Sequence, residues 1–239
     1  MKTAWLNLRY TVPERRAAFV SGLRRLGYGV EQGLPRSSPG AGDILVTWNR
    51  IGAGDQAAKA FEARGLPVIV AENAAWGNDF AGGRWYSLAR CMHNTSGKFP
   101  VGDSDRFDRL GVDLQPWRQG GERVVLPQRG IGPAGVAMPR DWTAQQIGRV
   151  RRHPGTRPSI PLEQDLARAG EVVTWGSGAA VKALMWGIKV ESHMPDWIAR
   201  QDNTDGGRLA MFRRLAWAQA EMTEIEIGTA FDRLLVRPI

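Results

Sequence analysis

Three groups of residues in this chain have the types and spacing to do chemistry. The first is Gly176-Ser177-Gly178, set between the apolar pair Val172-Val173 and a helical pattern from Ala179. Glycines around a serine let the backbone turn sharply and approach a ligand closely. A helix opening there presents free N–H groups and the positive end of its dipole. Such a turn suits a phosphate or diphosphate. The second group is Arg151-Arg152-His153-Pro154, where the proline restricts His153 to an extended backbone and aims its side chain off a strand tip. An imidazole beside guanidiniums can donate to a phosphate oxygen or steady a leaving nucleotide. The third is Glu72-Asn73, directly after Val68-Ile69-Val70-Ala71. A carboxylate ending a buried parallel strand is placed to act as a general base if burial raises its pKa. Asp79 and His93 in the loop that follows are alternatives for that role.

Other patterns are set aside on physical grounds. Gly130 to Gly135 has the spacing G-x-G-x-x-G after a strand, but Pro133 and the following Val-Ala-Met-Pro do not open a helix inside it. No acidic residue follows at the distance a dinucleotide fingerprint needs. What remains is a backbone-rich loop able to hold a ligand, with Arg129 and Gly130 in it. Asp103-Ser104-Asp105 has the D-x-D spacing of some metal-binding transferases, yet it follows a loop and reads as a solvated turn. His93, His153 and His193 are widely spaced, and the single Cys91 rules out an internal disulfide or a cysteine-rich zinc site. No metal is expected.

These groups need elements to position them. Ala4 to Leu8 reads as a first strand; Pro13 then opens a helix with Phe19, Leu23 and Leu26 on one face, stopped at Gly27. Tyr28 to Glu31, Asp43 to Trp48 and Leu66 to Ala71 read as further strands, with a helix from Asp55 to Arg64 between the last two. Glu72 to Gln119 has no long periodic segment and is expected to hold active-site loops, with a linker around 115–121. A second run begins at Glu122: strand 123–127, a Gly- and Pro-rich loop, strand 147–152, helix 162–169, then strand, turn and helix over 171–190. Gly207 to Glu221 and Thr223 to Leu235 read as closing helices, with Thr223 and Glu226 at capping-box spacing. No internal repeat is evident, but both halves alternate strands with helices. The expectation is an α/β protein of two small Rossmann-like parallel-sheet units facing a cleft, over 1–119 and 120–239.

Composition bounds the function. At 239 residues there is room for one large or two small domains. No apolar run is long enough to cross a membrane, and Arg9 interrupts the N-terminal apolar segment, so a cytoplasmic protein without membrane insertion is expected. The net charge of +8 fits a polyanionic partner, although arginine dominates over lysine as in a basic compositional bias. Ten tryptophans include Trp76, Trp85 and Trp117 in expected loops, where they would form platforms for sugars or bases, or else pack in the core.

Residues 122–192 resemble the nucleotide-binding half of GT-B-type glycosyltransferases, in particular capsule-polysaccharide and sialyltransferase-like enzymes. Their pattern is a His-Pro element, a strand, and a serine turn opening a helix, here His153-Pro154, then Ser177, Ala183-Leu184, Gly187 and Val190. The chain is also similar, from about Leu45 to Leu235, to short phage and prophage proteins carrying segments such as 126–132, 175–178 and 216–228. The resemblance implies a compact, metal-independent GT-B-like enzyme with no tightly bound cofactor and a nucleotide-sugar co-substrate, a UDP-sugar foremost. His153 and Ser177 would contact the donor phosphates, Gly176 and Gly178 would shape the turn, and Gln128 and Arg129 would face the donor from the neighbouring loop. Gly130, Arg152, Trp175 and Lys182 complete that donor side. Lys182 stands where many GT-B members carry an acidic ribose contact nearby, which leaves the nucleotide open. The base would come from the first half, with Glu72 leading. For phage-associated members the acceptor implied is a hydroxymethylated pyrimidine in DNA. A polysaccharide or lipid-linked sugar, a non-catalytic nucleic-acid-binding role, and a nucleotide-sugar epimerase or phosphatase are the alternatives.

Overall fold

The computed structural model describes residues 2–8, 12–92, 96–128, 130, 132, 135–152 and 160–236. The chain divides into two compact units, 1–103 with 214–239, and 104–213. Both are α/β.

The first unit runs β1 (Thr3–Asn7), α1 (Pro13–Arg25), β2 (Gly29–Gln32), β3 (Ile44–Trp48), α2 (Ala53–Glu62), β4 (Val68–Asn73) and β5 (Trp85–Arg90). Its sheet has the order β10-β5-β4-β3-β1-β2, where β10 (Gln219–Glu221) arrives from the far end of the chain. The four strands β2, β1, β3 and β4 are parallel; β5 runs antiparallel to β4, and β10 antiparallel to β5. Every residue of β3 is buried, as expected of a strand covered on both faces. Alternation splits them: Ile44 and Val46 join Phe19, Leu23 and Phe231 in one core, while Leu45 joins Ala58, Phe61 and Val70 in the other.

The second unit contains α3 (Asp105–Asp108), β6 (Glu122–Leu126), β7 (Arg149–Val150), α4 (Leu162–Asp165), β8 (Ala169–Thr174), α5 (Ala179–Met185), β9 (Lys189–Ser192) and most of α6 (Asp205–Leu215). Its sheet is wholly parallel, in the order β7-β6-β8-β9. Val124, Val172 and Val190 are buried on one face, with α5 packed on β8 and β9. Val125 and Val173 on the other face lie under Trp142 and Met138 of the loop after β6.

The two units repeat one plan. The parallel strands of each lie in the order second, first, third, fourth along the chain. Their registers also correspond. Asn7 lies opposite Thr47 and Thr47 opposite Val70; Leu126 lies opposite Thr174 and Thr174 opposite Ser192. Leu6 lies opposite Gln32, and Val125 opposite Val150. A Val-Thr-Trp segment stands at the end of the third strand of each unit, closing β3 at 46–48 and running one residue past β8 at 173–175.

Several expectations change. The expected boundary at 119/120 differs from the division observed, because residues 115–118 lie along the second unit: Gln115 N–H donates to Met185 O, and Arg118 N–H to Gly187 O. The second expected closing helix and β10 belong to the first unit rather than the second. The stretch expected as helix 207–221 breaks after α6 into a 3₁₀ turn (Ala216–Ala218) and β10, where the Gln219 side chain accepts from Ala75 N–H and Ser87 Oγ–H. The capping box there is Glu221 with Glu224, not Thr223 with Glu226, and it opens α7 (Met222–Glu226) ahead of α8 (Thr229–Val236). The expected loop region 72–119 contains a buried strand, β5. Trp76 and Trp85 are core residues rather than platforms: Trp76 stacks on Phe80 at 4.4 Å and meets Trp85 edge-on at 5.1 Å. Trp117 is half-buried under the Arg208 guanidinium.

Candidate functional site at the end of the second sheet

In an open parallel sheet the crevice forms between two adjacent strands whose following connections leave to opposite sides, at their C-terminal ends. In the second unit those strands are β6, which connects to β7, and β8, which connects to β9. Gln128 stands two residues beyond β6 and Gly176 two beyond β8. The Gln128 Nε2 donates to the Gly176 carbonyl at 2.8 Å, so the structure brings two residues of the expected donor side together at this point.

A buried hydroxyl governs the turn. Thr174 Oγ1 donates to Leu126 O at 2.8 Å, tying the end of β8 to the end of β6. It also accepts from Gly176 N–H at 3.2 Å and Ser177 N–H at 2.9 Å. Gly176 is buried at φ +116°, where a side chain is strained, and a Cβ there would lie 2.7 Å from Met194 Sδ. Ser177 Oγ accepts from Ala179 N–H at 3.3 Å. The free backbone cradle expected over 176–179 is therefore largely turned inward. What this turn offers a ligand is the Ser177 hydroxyl proton and the N–H of exposed Gly178, which has no partner among the described residues.

Other expected donor-side residues fall around this turn in different states. Trp175 is half-buried, its Nε1–H donating to Val136 O at 3.1 Å, and Trp142 meets its ring edge-on. Gly130 is exposed at φ +65°. Lys182 is half-buried in α5. Arg152 is exposed beyond β7, whereas its neighbour Arg151 is buried and ion-paired to Asp165 at 2.6 Å. Arg129 and His153 lie outside the described residues. In the first unit, Glu72 is half-buried within β4 rather than at its tip, opposite Ser87 of antiparallel β5. Asp79 is exposed ahead of a 3₁₀ turn and caps nothing. His93 lies outside the described residues.

The structure adds a polar group that sequence reasoning missed. His193 follows β9, and its N–H donates to Thr174 O at 2.9 Å, at the same sheet edge. Trp142 Nε1–H donates to His193 Nδ1 at 3.0 Å, and His193 Nε2 lies 2.9 Å from Glu191 Oε1. The indole thus selects the tautomer with the proton on Nε2, which donates to the carboxylate. The hydrogen bond from His193, followed by that from Arg123, holds the Glu191 carboxyl below its ordinary range. A carboxylate two residues before the histidine, near the end of an expected strand, was the available signal. No cluster of three metal-ligating side chains occurs among the described residues, and no helix among them is long and apolar enough to cross a membrane.

No family model matches the chain, and no curated protein matches it. Among solved structures it is similar to KpsC of Thermosulfurimonas dismutans, a beta Kdo 2,4 transferase. The likeness has a TM-score of 0.52 at 15% identity, over 91% of this chain and 90% of that one. A likeness to an aspartate transcarbamoylase from Trypanosoma cruzi has a TM-score of 0.26 at 12% identity, over 91% and 82%, and carries no weight. The first establishes the shared architecture: an α/β fold of two Rossmann-like units.

Proposed function

We propose that this chain is a glycosyltransferase that takes a nucleotide sugar at the β6/β8 end of the second unit. The meeting of Gln128 with the Gly176-Ser177-Gly178 turn at the sheet's switch point carries the reading. The fold shared with KpsC supports it, and the activity in that enzyme's name favours a saccharide acceptor. The donor phosphate would sit against the Ser177 hydroxyl and the Gly178 N–H, which suits an anion at a sheet edge. Glu72 is the proposed base, with Asp79 and His93 as alternatives.

A second acceptor reading has its own observation. Arg16, Arg24 and Arg25 surround a groove of about 1030 Å³ beside Ala17, Val20 and Val30, with no carboxylate among the described residues of its lining. Such a surface suits a polyanion, as a hydroxymethylated pyrimidine in DNA would require.

The test offers CMP-, UDP- and GDP-sugars with an oligosaccharide panel and with hydroxymethylcytosine DNA, and follows product mass. A sugar increment on a saccharide is expected, with Ser177→Ala weakening donor use at unchanged melting temperature. An increment on the nucleoside alone would move the acceptor to DNA. Failure of every donor to transfer or to raise the melting temperature, alongside salt-sensitive DNA binding, would replace the enzyme with a nucleic-acid-binding protein.

A further inference from the structure

We propose that Thr174 is the positioning residue of the ligand turn, and that Thr47 is its structural counterpart without that role. This rests on the donor reading above. Both threonines are fully buried, both are the penultimate residue of a Val-Thr-Trp segment, and both stand opposite the last residue of the first strand of their unit. Their hydroxyls are used differently. Thr47 Oγ1 accepts from Asn7 Nδ2 at 3.1 Å and donates to Asn49 O at 3.2 Å, which fastens strand end to strand end. Gly54 packs against that hydroxyl, so a Cβ at 54 would lie 3.1 Å from it. Thr174 Oγ1 makes the same strand-to-strand link through Leu126 O and then gathers the N–H groups of Gly176 and Ser177.

That difference has a geometric consequence. One oxygen makes three hydrogen bonds, and two of them fix successive peptide planes of the turn. With the 176 and 177 amides held inward, and with the Gly176 carbonyl held by Gln128, exposed Gly178 and the half-buried Ser177 hydroxyl are what the turn has left to present to a ligand. The threonine touches no ligand itself. It converts a glycine-rich turn, otherwise free to sample many conformations, into one with a fixed outward edge. Valine in its place keeps the volume but leaves Leu126 O and two amides without their partner.

The experiment compares Thr174→Val, Thr174→Ser and Thr47→Val in the full chain. Each is titrated by calorimetry with CMP, UDP and GDP, and amide hydrogen exchange is read at Gly176 and Ser177. The wild-type chain is expected to bind at least one nucleotide. Thr174→Val should weaken that affinity about tenfold or more and speed exchange at both amides. Thr174→Ser, which keeps the hydroxyl, should restore affinity to within about threefold. Thr47→Val should lower the melting temperature comparably while leaving affinity within about threefold, which separates positioning from stability. A folded Thr174→Val chain that binds as the wild type does would overturn the positioning role alone. Equal loss of affinity in Thr47→Val would also overturn it. A wild-type chain that binds none of the three nucleotides would overturn the donor reading and this role together.

Discussion

Asp43 shows how much one side chain can carry at residue scale. It is buried one residue ahead of β3, and its two carboxylate oxygens accept from different donors: Oδ1 from Thr3 N–H at 2.8 Å, Oδ2 from Gly40 N–H at 2.9 Å and from Trp5 Nε1 at 3.4 Å. Burial alone would raise its pKa, but the hydrogen bonds from Thr3, Gly40 and Trp5 prevail and hold it below the ordinary value. Asparagine would turn an NH₂ toward one of these donors. Asp43→Asn is therefore expected to cost about 1–3 kcal/mol at neutral pH, read from denaturant unfolding. Because the folded-state pKa is the lower one, this contribution is complete above the unfolded-state value near about 4 and is lost as pH falls through the folded-state value. The gap between wild type and variant should close as pH falls through the folded-state value; a gap that persists unchanged once the wild-type carboxyl is protonated, as followed by NMR, would assign the effect to packing. The aspartate ahead of β3 was visible in the sequence, and Gly40 is its local partner across a turn, but Thr3 and Trp5 were not visible as partners, since they reach it only through the β1–β3 pairing. Thr174 was hidden similarly. Attention falls on the glycines of the turn, whereas the group that orders them is one buried hydroxyl whose acceptor is on another strand.

At the scale of elements, alternation and turn residues made the parallel strands and most helices legible. Ile44 to Trp48 reads as a buried strand because its apolar run is bounded by Gly42 and Asn49, both at positive φ. The helix at 179–185 reads correctly because glycines bracket it. The antiparallel additions were not legible. Trp85–Arg90 is buried over most of its length without alternation, and nothing local shows which neighbour it pairs with. The three residues of β10 have the composition of a helix, and a long-range contact overrides that propensity. Gln219 and Ser87 are both fully buried, and the single Gln219 Oε1 accepts from Ser87 Oγ and Ala75 N–H at 2.9 Å each. Gln219→Ala would leave both donors buried without that acceptor and open a cavity. The expected cost is about 2–4 kcal/mol in the unfolding of the first unit, with Ser87→Ala milder at about 1 kcal/mol. A Gln219→Ala chain as stable as wild type would mean that β10 is held by its backbone pairing alone.

For the whole molecule, the chain leaves its first unit at Asp103 and returns to it at Arg214, so the second unit is an insertion into the first. An inserted unit is self-sufficient when its own ends are closed. Here they are: Phe107 stacks on Phe212 with ring centroids 5.3 Å apart, and Arg213 donates to both Asp108 oxygens at 2.9 and 2.7 Å. Its two central strands, β6 and β8, carry their own buried valines on both faces. The first unit is in the opposite position, because its core includes Ile225, Phe231 and Leu234 from the returning segment. Full burial of three such side chains is worth about 5–9 kcal/mol. That is comparable to the whole stability of a typical domain, about 5–15 kcal/mol. The fragment 104–213 made alone should therefore show a cooperative thermal transition and dispersed amide resonances, whereas 1–103 alone should give the circular dichroism of an unfolded chain. In the intact protein, Gln219→Ala should lower one transition and leave the transition of the inserted unit in place. If the isolated 104–213 fragment is unfolded and the intact chain melts in one step that Gln219→Ala shifts as a whole, the two units fold only together, and the closed ends of the insertion do not confer independence.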